Sequence, residues 1–209
     1  MSEPAKLLVA SNNLGKLREY ASLLGGLPFE LTTLAGERIM DEIEETGSSM
    51  GQNAIQKATA YSALSGLITL ADDSGLEVDA LGGEPGSLSR RYAGENVTDR
   101  ERIDYLLAKL DGVPWEGRGG RFRCVIAIAT PEGKVETCEG VCEGIMALDS
   151  KGEGGFGYDP IFYLPELDKR MAELTLEEKN RISHRARAAE KARPILELAG
   201  EQKRYDQTL

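Results

Sequence analysis

An α/β fold is predicted for this chain, and three observations predict it. Short apolar runs alternate with helical stripes through the first third of the sequence, in the order β-α-β-α-β. Two longer apolar-rich segments flank Pro131-Glu132-Gly133 and read as an antiparallel hairpin, so the sheet is expected to be mixed. Capping boxes at Thr98–Glu101 and Thr175–Glu178 open further helices in the second half. No repeat, low-complexity tract or linker interrupts the 209 residues. One domain over 1–209, built of two lobes, is therefore expected.

Lys6 to Ala10 is apolar and ends at Ser11-Asn12-Asn13, a strand feeding a polar turn. Leu14, Leu17, Ala21 and Leu24 then recur at helical spacing until Gly25-Gly26. Glu30 to Leu34 reads as a second strand. The stretch from Gly36 to Ser49 is acidic and irregular, with Glu42, Glu44 and Glu45 close together. A helix follows from about Ser49, with Met50, Ala54, Ala58 and Tyr61 on one face, and Ile68 to Ala71 is a strand ending in Asp72-Asp73-Ser74-Gly75. Ile103, Leu106, Leu107 and Leu110 form the stripe of a helix that Gly112 closes. Arg121 to Thr130 and Lys134 to Met146 are the hairpin strands, and Gly152 to Gly157 is a turn leading to Tyr158-Asp159-Pro160. Ser183 is expected to cap a last helix reaching about Leu198, kinked or restarted at Pro194.

Composition narrows the function. Apolar residues make up 41% and charged residues 29%, which suits an ordered globular chain. With 25 Lys+Arg against 35 Asp+Glu the net charge is −10, which argues against nucleic-acid partners, whose backbones call for dense cationic surface. Cys124, Cys138 and Cys142 have no CxxC spacing and His184 is the one histidine, so neither a zinc site nor a disulfide framework is expected. Four apolar residues, Leu7 to Ala10, are too few for a signal-peptide core, and no run approaches a membrane span. A cytoplasmic protein without membrane partners is the expectation.

Several segments carry residues suited to chemistry, each with a plainer alternative. Ser11-Asn12-Asn13-Leu14-Gly15-Lys16 lies at a strand-to-helix junction, where free N–H groups and a lysine one turn in suit a phosphate; otherwise Asn13 simply caps the helix and Lys16 is solvated. Asp72 and Asp73 end an apolar strand, where alternation sends them to opposite faces, so at most one faces a metal; the alternative is an Asx turn. Glu44 and Glu45 read as a solvated loop unless one joins a carboxylate of the DDSG segment, a pair that would suit Mg²⁺ carrying substrate phosphates. Phe156 among glycines is either a stacking surface for a base or a core residue in a tight turn. Lys179, His184 and Arg185 are a basic cluster that alone reads as a solvated helix face.

The order and spacing of these segments are far more specific than any one of them. Ser11-Asn12-Asn13-x-x-Lys16-x-x-Glu19, Glu45-Thr46-Gly47 with Asn53-Ala54 and Lys57-Ala58, Ala71-Asp72-Asp73-Ser74-Gly75-Leu76, Gly155-Phe156-Gly157-Tyr158-Asp159-Pro160 and Ser183-His184-Arg185 together resemble the inosine/xanthosine triphosphate pyrophosphatases. The resemblance runs from Leu7 to about Leu198, with Met50 where the family usually has Phe and Arg90 where it commonly has a small residue. It implies an elongated, two-lobed mixed-sheet α/β fold with helices around a central substrate cleft, a homodimer, and Mg²⁺-dependent hydrolysis of ITP, dITP and XTP to monophosphate and pyrophosphate. By motif match, Ser11, Asn12, Asn13, Leu14, Gly15 and Lys16 would hold the phosphates. Glu45 and Asp73 would be the metal carboxylates, with Asp73 also the proton acceptor. Ser74, Phe156, Gly157, Tyr158, Asp159, Lys179, His184 and Arg185 would contact the substrate.

Selectivity would follow from edge chemistry. Inosine and xanthosine offer a 6-oxo acceptor, so a donor such as Arg185 would be left unpaired by adenine, and an unpaired buried donor discriminates by up to about 10⁴. Two other classes compete: a non-hydrolytic nucleotide sensor, which has no need of both Glu45 and Asp73, and a metal-dependent phosphatase releasing orthophosphate.

Overall fold

The computed structural model describes residues 4–206. Among them are eight strands in one sheet and five α-helices. The first part runs β1 (Ala5–Val9), α1 (Leu14–Leu23), β2 (Phe29–Thr33), α2 (Met50–Ser65) and β3 (Ile68–Val78), the alternation expected from the sequence. Then come β4 (Pro85–Gly86), α3 (Asp99–Lys109), β5 (Gly119–Ala129), β6 (Val135–Met146), β7 (Phe162–Leu164), β8 (Lys169–Arg170), α4 (Leu176–Ile182) and α5 (His184–Asp206). The sheet order is β2-β1-β3-β5-β6-β7-β8, with β4 beside β3. β1 pairs in parallel with β2 and β3, which α1 and α2 permit as crossovers. The pairs β3–β4, β6–β7 and β7–β8 are antiparallel, so the sheet is mixed.

The described chain forms two compact units. The first comprises 4–73, 125–140 and 187–206. Its core gathers Leu8, Ala71, Val125 and Ala127 with the stripe Met50, Ala54, Ala58 and Tyr61, the face of α2 that the spacing predicts. Met50, one of the two departures from the resembled family, is a buried member of this core. The acidic stretch before α2 is irregular and is tied to the helix by Tyr61, whose hydroxyl accepts from the Ile43 N–H (3.3 Å) and donates to the Asp41 carbonyl (3.0 Å). The second unit comprises 74–124 and 141–186. Its core includes Leu76, Val78, Ile103, Leu106, Phe122, Met146, Tyr158 and Phe162. Both expected capping boxes form, Thr98 with Glu101 and Thr175 with Glu178.

Two expectations are corrected. Asp72-Asp73-Ser74-Gly75 is not a turn but the middle of β3, which continues to Val78. Leu76 and Val78 are buried, and Leu76 and Glu77 pair with β4, so long-range packing overrides the local turn signal. Ser89 secures the pairing, since its hydroxyl accepts from the Leu76 N–H (2.8 Å) and donates to the Gly86 carbonyl (2.6 Å). Gly75 admits this approach because a Cβ there would lie 2.0 Å from the Gly86 oxygen. The last helix also outruns its expected end: α5 passes through Pro194 to Asp206. Proline deletes one backbone hydrogen bond, but Ala188, Ala189, Ala192 and Leu196 form a buried stripe on both sides of it. Ser183 caps α5 as expected, accepting from the Ala186 N–H (3.2 Å).

Candidate active site

In the first unit the segment Ser11 to Lys16 forms the entry to α1. The Ser11 hydroxyl accepts from the Asn13 N–H (3.2 Å), and Asn13 Oδ1 accepts from the Lys16 N–H (3.1 Å), so Asn13 is the helix cap. Leu14 and Gly15 occupy the first turn, where backbone N–H groups and the positive end of the helix dipole favour an anion. Lys16 is not a solvated lysine. Its ammonium lies 2.9 Å from Asp72 Oδ2, and the Asp72 side chain is almost fully buried.

The loop before α2 is held residue by residue against that helix. Lys57 Nζ donates to Glu45 Oε1 (2.7 Å) and Gln56 donates to the Thr46 hydroxyl (3.2 Å). Asn53 Oδ1 accepts from the Gly47 N–H (2.8 Å), and Gln52 Oε1 accepts from the Ser48 N–H (2.8 Å). Positions 52, 53, 56 and 57 share one face at i, i+1, i+4 and i+5, and this face registers 48 to 45 in reverse order. Glu45 is thereby fixed rather than loosely solvated.

Asp73 is buried, and its Oδ2 accepts from Asn53 Nδ2 (3.0 Å). Burial pushes its carboxyl above the ordinary carboxylate range; the Asn53 hydrogen bond and the charges of Lys57 and Lys16 act against that rise, and Glu45 reinforces it. Lys57 also donates to the Asp72 carbonyl (2.7 Å). Burial would depress the Lys57 ammonium, but Asp72, Glu45 and Asp73 outweigh it and hold its pKa above the usual value. Lys57 and Asn53 thus join the cluster, although sequence reasoning used both only as markers of resemblance. The available signal was their four-residue spacing on α2, which puts them on one helix face. Asp72 and Asp73 meet different partners, Lys16 and Asn53, consistent with alternation along a strand.

The second unit holds Ser74, Phe156, Gly157, Tyr158, Asp159, Lys179, His184 and Arg185. Asp159 Oδ2 accepts from the Phe156 N–H (2.9 Å) and lies 2.5 Å from Lys179 Nζ, both side chains being buried. The Phe156 ring is half-buried, neither a core residue nor a free platform. Lys179 Nζ lies 4.8 Å from its centroid and the Arg185 guanidinium carbon 5.7 Å. Arg185 is fully buried and donates from Nη2 to the Ser74 hydroxyl (2.9 Å). His184 stacks on Phe122 at 4.9 Å between centroids. The Gly157 N–H donates to Asp99 Oδ2 (2.7 Å). Tyr158 is a core side chain whose hydroxyl donates to the Ser89 carbonyl (3.0 Å), and burial pushes its phenol well above the usual tyrosine range. The basic cluster is therefore packed, not a solvated face.

Among the described residues no group of three or more His, Cys, Asp or Glu side chains could hold a metal ion, and no helix is long and apolar enough to cross a membrane. Cys124, Cys138 and Cys142 are buried strand residues and form no disulfide.

Comparison with known proteins adds three findings. The model of the Ham1 family matches residues 7–195. A "dITP/XTP pyrophosphatase" of Desulforamulus reducens is 50% identical over 191 residues, covering 91% of this chain and 95% of that protein; one of Bacillus subtilis is 45% identical over 91% and 96%. A solved HAM1 protein of Coxiella burnetii superimposes with a TM-score of 0.84 at 42% identity, covering 92% of this chain and 98% of that one.

Proposed function

Because the chain belongs to the Ham1 family, we propose that it is a nucleoside-triphosphate pyrophosphatase that hydrolyses non-standard purine nucleotides, dITP, XTP and ITP, to the monophosphate and pyrophosphate. The observation that carries the reading is Asp73, a buried carboxyl held by Asn53 of α2, the helix that also holds Glu45 through Lys57. In the reaction a water oxygen bonds to the α-phosphorus, the bond from that phosphorus to the bridging oxygen breaks, pyrophosphate departs, and Asp73 accepts the water proton. Lys16 and Lys57 offset phosphate charge, with the N-terminal turn of α1 as a further anion site.

The donor set fits Mg²⁺. It is all oxygen, and two carboxylates rather than a closed cage suit an ion that shares its coordination with phosphates and water. Glu45 and Asp73 would hold it, and it would supply charge neutralisation and an acidified water. The second unit supplies base recognition, with Phe156 as stacking surface and Lys179 and Arg185 as donors. Arg185 is fully buried, so meeting a base edge requires the side chains over it to move. The motif resemblance also supports one domain over 1–209, a homodimer and a cytoplasmic setting.

The test is hydrolysis of dITP, ITP, XTP, GTP and ATP with and without Mg²⁺, resolving pyrophosphate from phosphate. Pyrophosphate from dITP, ITP and XTP, with metal only, is expected, and Asp73→Asn should lower kcat by about 10²–10⁴ while the protein stays folded. Orthophosphate as product, equal rates on ATP, or near wild-type turnover by Asp73→Asn would overturn the reading.

A further inference from the structure

Resting on the assignment of Glu45 and Asp73 as the metal carboxylates, we infer that Asn53 is a positioning residue that sets the geometry of that pair, one end of its amide holding the loop that bears Glu45 and the other holding the Asp73 carboxylate. Its side chain is buried within α2 and has two firm partners. Oδ1 accepts from the Gly47 N–H at 2.8 Å and Nδ2 donates to Asp73 Oδ2 at 3.0 Å. The polarity is forced. Gly47 N–H can only donate, so it requires the oxygen, which turns the NH₂ group toward Asp73.

No other common side chain does both jobs. Aspartate keeps an acceptor for Gly47 but sets a second carboxylate against Asp73. Alanine keeps neither bond, and glutamine is one carbon longer in a site without slack. The loop is seated so closely that a Cβ on Gly47 would lie 2.6 Å from Asn53 Oδ1 and 2.7 Å from Gln52 Cβ. One residue, Thr46, separates Gly47 from Glu45, so the amide reaches both carboxylates through a short, ordered path. Gln52 provides the contrast. It binds the same loop, accepting from the Ser48 N–H (2.8 Å) and hydroxyl (2.9 Å), but these bonds and that of its backbone N–H to Ser49 lie on the exposed edge.

The experiment compares Asn53→Asp, Asn53→Ala and Gln52→Ala with the wild type. Steady-state hydrolysis of dITP with Mg²⁺ gives kcat and KM, and electron paramagnetic resonance gives Mn²⁺ affinity in the complex with an α,β-imido analogue of dITP. Thermal unfolding identifies which variants are folded. Both Asn53 variants should lose about 10–100-fold in kcat, shift KM for dITP by no more than about 3-fold, and change Mn²⁺ affinity by about 10-fold or more, whereas Gln52→Ala should hold all three. Aspartate retains the Gly47 bond, so wild-type kcat and Mn²⁺ affinity in Asn53→Asp would reduce the residue to a loop anchor and overturn the inference. Equal losses in Asn53→Ala and Gln52→Ala would do the same. If the wild type releases no pyrophosphate from dITP, the parent assignment falls and takes this one with it; if the wild type does so and the Asn53 variants match it, this inference alone falls.

Discussion

The ion pair of Lys179 and Asp159 is the sharpest energetic test of the second unit. The side chains are 5% and 3% exposed and lie 2.5 Å apart. At an effective dielectric of about 20, such a pair has a gross attraction of about 6–7 kcal/mol, set against desolvation of both ions of similar size. The net worth of the pair is therefore small, but removing one partner is not. Lys179→Met strips the cation from a buried carboxylate, and Asp159→Asn leaves a buried ammonium against a neutral amide. Each should cost about 3–5 kcal/mol, or about 6–20 °C in unfolding midpoint for a chain of this length. The amide of Asp159→Asn retains an oxygen for the Phe156 N–H, so that variant isolates the charge from the backbone bond. The double variant Lys179→Met/Asp159→Asn removes both charges and should be less damaged than the sum of the singles by about 2–3 kcal/mol. Urea denaturation of the four proteins measures the cycle. Additivity within about 0.5 kcal/mol would refute the reasoning, since it would show that neither side chain responds to loss of the other.

Two further outcomes are expected. Arg118 is buried and donates to the carbonyls of Met146 (2.7 Å), Leu110 (2.8 Å) and Ala147 (3.2 Å), joining the end of α3 to the end of β6. Arg118→Met strands those acceptors and should cost about 3–5 kcal/mol by denaturant titration; a loss below about 1 kcal/mol would show that water replaces the guanidinium. In the capping box of α3, the backbone N–H and hydroxyl of Thr98 hold the Glu101 carboxyl below its usual range. A depressed folded pKa stabilises above the unfolded value and is lost as pH falls, so the stability gap between wild type and Glu101→Gln should close on acidifying from pH 7 to below about pH 4. An unchanged gap across that range would remove the carboxylate from the cap.

What was legible in the sequence was what local physics decides. The alternation of strands and helices followed from periodicity, and the caps at Asn13, Thr98, Thr175 and Ser183 followed from side chains that bond within three residues. What stayed hidden depends on contacts distant in sequence. β3 outran Ala71 because β4 and Ser89 wait more than ten residues downstream, and no window around DDSG contains them. α5 outran Leu198 because its alanine stripe is buried, which a propensity rule for Pro194 does not see. At the site, Glu45 and Asp73 were visible as residue types. The bridge between them was not, because Asn53 reaches Asp73 across 20 positions and Lys57 reaches Glu45 across 12. Tyr158 was legible as an aromatic in a Gly-rich loop, but its place in the second core is a property of Ile103, Phe122 and Phe162 around it.

An acidic chain that handles a polyanion poses an electrostatic problem, which the site proposed in the first unit would meet at short range. With a net charge of −10 the far field repels a triphosphate, but that field is screened within about 8 Å at physiological salt, so short-range arrangement decides. Inside the cluster three carboxylates, Glu45, Asp72 and Asp73, face two lysines, Lys16 and Lys57. Alone, that balance disfavours phosphate; the proposed divalent ion, carried with the phosphates, would reverse it. The carboxylates also have a second effect. Lys16 is held at 2.9 Å by Asp72 and Lys57 at 2.7 Å by Glu45, with side chains only 14% exposed. Long lysine side chains ordinarily lose about 1.5–2 kcal/mol of rotamer freedom when a ligand fixes them. Here folding has already fixed them, so in the proposed site the acidic residues, which by charge alone oppose an anion, would keep its cationic partners ready.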